Sequence, residues 1–220
     1  MPATSTPGSA GKEALTRDAS RLALAAHPQR LADAFDRRLS VAVVSRLQGC
    51  PRLHERIATL LLHQRGADSS GSIADNAPAE RRETFERLFQ VDLKEASHLA
   101  GAAWHAHSLR QIIHGRDVAD LIARIGRRAH AFGLRRGGVA PAMRSPASDA
   151  LAEQIERDGH ACLGVWFSSF PSSMRQQLYL RLPPDTAAET PDLSDAQQKL
   201  ALGLIDPVLS ELDESMNAFE

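Results

Sequence analysis

Residues 96–136 read ASHLAGAAWHAHSLRQIIHGRDVADLIARIGRRAHAFGLRR and show the clearest periodicity in the chain. In the second half of this segment, apolar residues recur every three or four positions, at Val118, Leu121, Ile122, Ile125, Ala129 and Phe132. That spacing predicts one amphipathic helix over 116–132 with a single buried face. The opposite face carries Arg116, Asp120, Arg124, Arg127 and Arg128. Gly115 predicts the end of a short preceding helix, and Gly133 predicts the end of this one.

The rest of the chain shows the same helical spacing and no run of period two, so no sheet is expected. We predict an all-α fold of about seven to nine helices. Helical patterns cover 12–27, 28–47, 52–64, 80–88, the segment after Asp92, 148–166 and 172–182, and the segment after Ser194, with a restart at Asp206-Pro207. Residues 1–11 are predicted to be a disordered tail, and residues 12–220 a single helical domain. Sub-boundaries are predicted at the loops 66–79, 135–147 and 183–193.

Two capping signatures support these helix starts. Asp92 with Glu95 and Ser194 with Gln197 both have the spacing of a capping box. Gly159 and Gly164 interrupt an otherwise helical pattern and weaken the prediction of one continuous helix over 148–166.

Composition limits the function classes. The chain has 220 residues, 43% of them hydrophobic, and a formal net charge of -1, so no general attraction to nucleic acid or to anionic membrane follows. Cys50 and Cys162 are too isolated for a disulfide framework or a metal motif, which favours a reducing cytosol. No apolar run is long enough to span a bilayer, and the N-terminus lacks the apolar core of a secretory signal.

A catalytic or metal site finds little support in the motifs. Five histidines lie in the central segment, at His98, His105, His107, His114 and His130. Their spacings do not place ligands three or four residues apart on one helix face, so structural or surface roles are favoured. No nucleophile elbow and no phosphate-binding glycine motif is present. We predict no catalytic residue, no metal ligand and no cofactor.

Charge is unevenly distributed along the chain. Residues 115–137 contain six arginines and two aspartates, a local net charge of +4, whereas residues 183–220 contain nine acids and one lysine, a net charge of -8. One interpretation is a solvated arginine face partly neutralised by the acidic C-terminal segment. The other is a pair of partner-binding surfaces of opposite charge. The candidate partner-binding residues are Arg124, Arg127, Arg128, Glu211, Asp213 and Glu214.

The central segment also resembles a known family. Its pattern Gly-Ala-Ala-x-His-x-x-Ser-Leu-Arg-x-Ile-Ile, followed by Val-x-x-Leu-Ile-x-x-Ile-Gly-x-x-Ala-x-x-Phe-x-Leu-Arg, is similar to the K-type accessory proteins of bacterial type III secretion. These are the sorting-platform adaptors known as SctK, which include the Hrp versions of plant pathogens. The matching residues are Gly101, Leu109, Arg110, Ile113, Val118, Leu121, Gly126, Ala129, Phe132 and Leu134. Most of them are small or apolar, so they indicate packing and not chemistry.

The resemblance implies a non-enzymatic, cytosolic adaptor. Its expected partners are the cytoplasmic domain of the inner-membrane ring protein (SctD) and the pod protein (SctQ), which carries the stator and the ATPase. The protein would then reach the membrane only through these partners and would not bind nucleic acid. Two alternatives remain open: a helical metal- or ligand-binding enzyme that uses the central histidines, and a small DNA-binding regulator that uses the arginine helix.

Overall fold

The computed structural model describes residues 8–35, 38–64, 78–137 and 147–217. Within these ranges every regular element is helical and no strand occurs, which confirms the all-α class. The described residues form thirteen α-helices and one short 3-10 turn, Pro51–Leu53. The count exceeds the seven to nine predicted, in part because the predicted helices over 28–47 and 116–132 are each divided into two. None of the described helices is both long and apolar enough to cross a membrane.

The helices follow one another with short connections in most places. Their bounds are α1 Gly8–Ala25, α2 Pro28–Ala34, α3 Val41–Gln48, α4 His54–Gln64, α5 Ala79–Gln90, α6 Leu93–Trp104, α7 Ala106–Leu109, α8 Gly115–Ile125, α9 Arg127–Arg135, α10 Ser148–Ser168, α11 Ser172–Leu180, α12 Asp195–Leu202 and α13 Ile205–Asn217. The first helix already begins at Gly8, inside the predicted tail of residues 1–11, and residues 1–7 lie outside the described residues. Most of the predicted loops at 66–79 and 135–147 also lie outside them.

The chain divides into two compact units. Unit 1 is built from the described parts of Met1–Asp75 together with Gln176–Pro184. In unit 1, α1 packs on α4, and α2 packs on α3 and α4. Its fully buried apolar side chains include Ala23, Leu31, Val44 and Leu61. These residues form the core that the helical spacing of the N-terminal segments predicts.

Two buried polar side chains stabilise unit 1 by donating hydrogen bonds to backbone carbonyl oxygens. Arg30 Nε donates to the carbonyl oxygen of Leu182 at 2.6 Å, and its Nη2 donates to that of Pro183 at 2.8 Å. Gln48 Nε2 donates to the carbonyl oxygens of Ala23 and Ala26 at 2.9 and 2.8 Å. A buried donor without a partner would cost about 1–3 kcal/mol, so these bonds fix where the segments meet.

The predicted helix over 28–47 is two helices. α2 ends at Ala34, and α3 begins at Val41 with Ser40 as its N-cap, whose side chain accepts from the backbone N–H of Val43. Serine is a preferred N-cap residue, but the spacing of apolar residues alone predicted one continuous helix through Ser40. Local capping chemistry decided this break.

Unit 2 comprises Asn76–Arg175 and Asp185–Glu220, apart from the residues that are not described. Its centre is the antiparallel pair of α6 and α10, with α9 and α13 also packed on α6, and α8 and α12 packed on α10. Nearly every residue of α6 is buried. The largest fully buried side chains of unit 2 include Leu99, Phe132, Leu163, Trp166 and Phe167.

Two glycines explain how α6 and α10 approach so closely. A Cβ atom on Gly101 would lie 1.9 Å from the carbonyl oxygen of Ile155, and a Cβ on Gly159 would lie 2.0 Å from that of Ser97. The two backbones therefore touch where these side chains are missing. α10 runs unbroken through Gly159, so this glycine serves packing and does not interrupt the helix.

The predicted helix over 116–132 is also two helices, which meet at Gly126. This residue has φ +88°, a conformation that side chains with a Cβ rarely adopt, and it separates α8 from α9. The predicted buried face is nonetheless correct at Leu121, Ile125, Ala129 and Phe132, which are all buried. α9 continues through Gly133 to Arg135, so Gly133 does not end it.

Of the two predicted capping boxes, one forms. Ser194 and Gln197 cap α12 reciprocally, as expected. Asp92 caps α6 alone, by accepting from the backbone N–H of Lys94 at 2.8 Å, while the Glu95 side chain accepts from Arg128 instead. The expected restart near Asp206 is present, with α13 beginning at Ile205.

Candidate functional site

The arginine face is built by α8 and α9 of unit 2. Leu121 and Ile125 bury one side of α8, which turns Arg124 toward the surface. After the turn at Gly126, Arg127 and Arg128 open α9, while Ala129 and Phe132 enter the core. The helical period therefore holds these arginines at the surface of a rigid element.

The structure brings the arginine face and the acidic C-terminal helix together. Arg128 Nη1 lies 2.9 Å from Glu95 Oε1, and Arg128 Nε lies 3.8 Å from Glu211 Oε1. Arg135 Nη2 donates to both carboxylate oxygens of Glu211 at 2.8 Å. Glu211 therefore connects α13 to two arginines of α9.

Two further ion pairs use two of the four remaining predicted residues, Asp213 and Arg124. Arg87 of α5 pairs with Asp213 of α13 at 2.5 Å, and Arg124 pairs with Asp149 of α10 at 2.9 Å. All these pairs are partly or largely exposed, and exposed pairs contribute about 0–1 kcal/mol each. Val208, Leu209 and Leu212 of α13 are buried, so apolar packing anchors the helix and the charges set its register.

Arg127 and Glu214 are exposed, and the structure describes no ion pair for either of them. Of the six candidate residues, these two are the ones whose charge is not engaged by another described side chain. The arginine face is thus partly neutralised by acids of the same unit. Because both charged segments meet within unit 2, they form one mixed surface, which we call the charged face.

The histidines do not converge on a common centre. His105 is buried, and its Nε2 donates to Asp158 Oδ2 at 2.7 Å, while its Nδ1 has no hydrogen-bond partner among the described residues. His107 and His114 are exposed. In the described part of the chain, no three His, Cys, Asp or Glu side chains are grouped so that they could hold a metal ion.

Burial and hydrogen bonding shift the pKa values of three groups in unit 2. Burial lowers the pKa of His98 and of His160, although the nearby charge of Glu156 opposes this effect. Burial alone would raise the pKa of the Asp158 carboxyl, but hydrogen bonds from His105 and Arg157 outweigh it and lower that pKa. Asp158 is therefore ionised at neutral pH and accepts a hydrogen bond from His105 Nε2. This pair joins the α6–α7 junction to α10.

Sequence reasoning missed the polar residues that organise these surfaces. Arg110, which follows α7, donates from Nη2 to the carbonyl oxygens of Leu134, at 2.9 Å, and Arg136. Glu95 and Asp149 accept from arginines on other helices, and Asp158 accepts from His105 at the α6–α7 junction. Such partners are 24 or more residues apart in the chain, so no local pattern signals them.

Fold and site together define a helical protein of two units, with a charged face on unit 2 that is built from ion pairs between its helices. The chain belongs to the family of the nodulation protein NolU. It is 44% identical over 173 residues to nodulation protein NolU of Rhizobium fredii, a match that covers 78% of this chain and 77% of the relative. Nodulation protein NolU of Sinorhizobium fredii (strain NBRC 101917 / NGR234) matches with the same identity and coverage.

Other comparisons found no match. No family model matches the chain. No solved structure resembles it significantly.

Proposed function

We propose that this chain is a non-enzymatic adaptor of the bacterial type III secretion sorting platform. In this role it links the cytoplasmic domain of the ring protein SctD to the pod protein SctQ, and through the pod to the ATPase. It works at the cytoplasmic face of the inner membrane, where its partners hold it. Its rhizobial relatives are named as nodulation proteins, which supports a secretion-related bacterial role for this chain.

The proposal rests on the structural role of the central segment, residues 96–136, which carries the resemblance to SctK. Of its residues, Leu109, Leu121, Ala129 and Phe132 are buried in unit 2, and Gly101 lies at the closest approach of α6 and α10. Five of the ten matching residues thus contribute to helix packing, whereas Arg110, Ile113, Gly126 and Leu134 are exposed. A shared packing pattern supports a shared helical scaffold, and the type III role is what the resemblance implies for that scaffold.

The charged face supports a binding role more than a catalytic one. Its arginines and acids already pair at the surface of unit 2, which leaves Arg127 and Glu214 to engage a partner. Charged groups at the rim of an interface mainly set association rate and salt dependence. The same neutralisation weakens the alternative of a DNA-binding arginine helix, because Glu95, Asp149 and Glu211 occupy three of the arginines that phosphates would need.

The test is a binding assay with purified SctD cytoplasmic domain and purified SctQ, each immobilised separately. We expect Arg127→Glu to weaken binding of one partner, and Glu214→Lys to weaken binding of the other partner or of the same one. Both side chains are exposed, so neither change should alter the fold, which circular dichroism checks. The matched controls are Arg81→Glu and Glu83→Lys, which make the same changes at exposed positions of α5.

The results separate the adaptor role from the assignment of its surface. If the wild-type chain binds neither protein, the adaptor proposal is wrong. If it binds both and the two charged-face variants bind as the controls do, the adaptor role stands and the charged face is not its contact surface.

A further inference from the structure

Unit 1 is completed by one remote segment of the chain. This segment is Gln176–Pro184, and the chain on both sides of it belongs to unit 2. It contains the end of α11 and two consecutive prolines. Leu178, Leu180 and Leu182 are buried, each with no more than 2% of its surface exposed. Three leucines followed by two prolines thus characterise the segment that unit 1 receives, which we call the docking segment.

Unit 1 binds the backbone of the docking segment through carbonyl oxygens. In a continuing helix the Leu180 carbonyl would accept from the residue four positions later, but that residue is a proline and has no N–H. The backbone N–H of His27 donates to it instead, at 2.8 Å. Arg30 is buried and donates from Nε to the Leu182 carbonyl oxygen at 2.6 Å and from Nη2 to that of Pro183 at 2.8 Å. His27 caps α2 and Arg30 lies in its first turn, so one helix end, which we call the α2 site, holds three carbonyls.

The α2 site belongs to helices that pack on one another. α1 packs on α4, and α2 packs on both α3 and α4. The docking segment is joined to these helices only through the chain of unit 2, which runs from Asn76 to Arg175. All of its contacts with the α2 site are noncovalent. The same contacts can therefore form whether the segment comes from the same chain or from another one.

We propose that the α2 site is a peptide-binding site, filled by the docking segment of the same chain in the monomer and by that of a second copy in a dimer. Every copy carries both the site and the segment that fits it, so an exchange keeps every contact of the monomer. A reciprocal exchange fills both sites, so assembly ends at a twofold dimer. Within one chain the segment has a high effective concentration, so exchange is favoured only when the internal contact is weakened or chains are concentrated. This exchange is independent of the adaptor role.

The first experiment measures binding of a fluorescent peptide of residues 172–187 to the full chain by anisotropy. Leu182→Ala in the chain weakens its own docking segment and leaves the α2 site intact, so this variant should bind the peptide about tenfold or more tightly than wild type does. Adding Arg30→Met removes two donors and should cancel that gain. The matched control is the peptide that itself carries Leu182→Ala, which should bind about tenfold or more weakly. If the variant chain loses helix content, the intact peptide should restore it.

The second experiment tests the second copy as the occupant. Arg30→Glu removes the α2 site and keeps the docking segment, whereas Leu182→Ala keeps the site and weakens the segment. We expect an equimolar mixture to form a 1:1 dimer in analytical ultracentrifugation, with each variant alone monomeric. Leu24→Glu is the matched control, because it adds a negative charge at a 59% exposed position of unit 1 and leaves the site filled. Mixed with Arg30→Glu, it should remain monomeric.

Two results would overturn the proposal. If the intact peptide neither binds Leu182→Ala more tightly than wild type nor restores its helix content, the docking segment is a fixed part of the unit 1 core. If the peptide binds but the mixture of Arg30→Glu and Leu182→Ala stays monomeric, the site accepts a segment from outside the chain and a second copy is not its source. A partner protein with a leucine-rich segment that ends in proline would then be the occupant.

Discussion

The close approach of α6 and α10 can be tested by adding one methyl group, in the variant Gly101→Ala. The new Cβ would lie 1.9 Å from the carbonyl oxygen of Ile155 and 2.7 Å from its carbonyl carbon, whereas ordinary contact begins at 3.4 Å. The two helices would have to separate by roughly 1.5 Å at this point, and interiors at close-packed density lose contacts over a smaller gap than that. The obstacle is backbone, so no change of rotamer relieves it.

The expected cost follows from two opposing terms. Overpacking a core costs about 1–3 kcal/mol and occasionally more, and a backbone obstacle puts this case at about 3 kcal/mol or above. Alanine is a better helix former than glycine by about 1 kcal/mol, which offsets part of that cost. We therefore expect Gly101→Ala to lower the free energy of unfolding of unit 2 by about 2 kcal/mol or more.

The measurement is denaturant unfolding followed by tryptophan fluorescence. The chain has two tryptophans, Trp104 in α6 and Trp166 in α10, and both are buried in unit 2, so the signal reports this unit. Gly115→Ala is the matched control, because nothing lies within 4 Å of a Cβ at the exposed first residue of α8. It should be neutral or stabilise by up to about 1 kcal/mol. Equal unfolding midpoints for Gly101→Ala and the control would refute the described helix contact.

Three further outcomes follow from burial in unit 2. Leu121 is fully buried in α8, so Leu121→Ala should lower the free energy of unfolding by about 2–5 kcal/mol in the same fluorescence assay. Burial lowers the pKa of His98 and of His160, so the unfolded chain takes up protons more readily than the folded one as pH falls. Their contribution to stability is complete above the ordinary histidine pKa of about 6.5 and declines below it, and replacing both with Gln should reduce that decline. Burial raises the pKa of the Cys162 thiol to about 12, so a thiol reagent added to the native protein should modify the partly exposed Cys50 and spare Cys162.

Each of these outcomes has a control that separates burial from residue type. Ile113→Ala removes a similar apolar volume at an exposed position and should leave stability unchanged. His107→Gln changes an exposed histidine and should not alter the pH dependence. Denatured protein should react with the thiol reagent at both cysteines. Rapid modification of native Cys162 would contradict its buried position.

The sequence predicted what depends on periodicity and local capping. The buried face through Leu121, Ile125 and Phe132 follows from helical spacing alone, and the Ser194 cap follows from hydrogen bonds that span three residues. The break at Gly126 was not predicted, because apolar residues keep the same spacing on both sides of it. A glycine's φ depends on how the flanking helices pack, and this information is not local.

The charged face likewise depends on contacts between distant residues, which the sequence does not reveal. Charge counts along the chain indicated a basic and an acidic segment, but the sequence does not say whether such segments face each other. The pairing of Arg135 with Glu211 bridges 76 residues. The exposure of Ile113 was also not predictable, since α7 ends at Leu109 and both Ile112 and Ile113 lie outside a helix, where helical spacing does not indicate burial.

The bonds of Arg30 impose an order of events during synthesis. Its guanidinium donates to carbonyls of Leu182 and Pro183, which are 152 and 153 residues further along the chain. At about 5–20 residues per second, a ribosome needs roughly 8–30 s to make that interval. The first four helices are complete by Gln64, so for most of this interval they exist without the segment that completes their unit, and Arg30 cannot yet make its bonds to Leu182 and Pro183. A chaperone that binds the nascent N-terminal segment would therefore act in this interval, and a nonsense codon before Gln176 would leave unit 1 permanently unfinished.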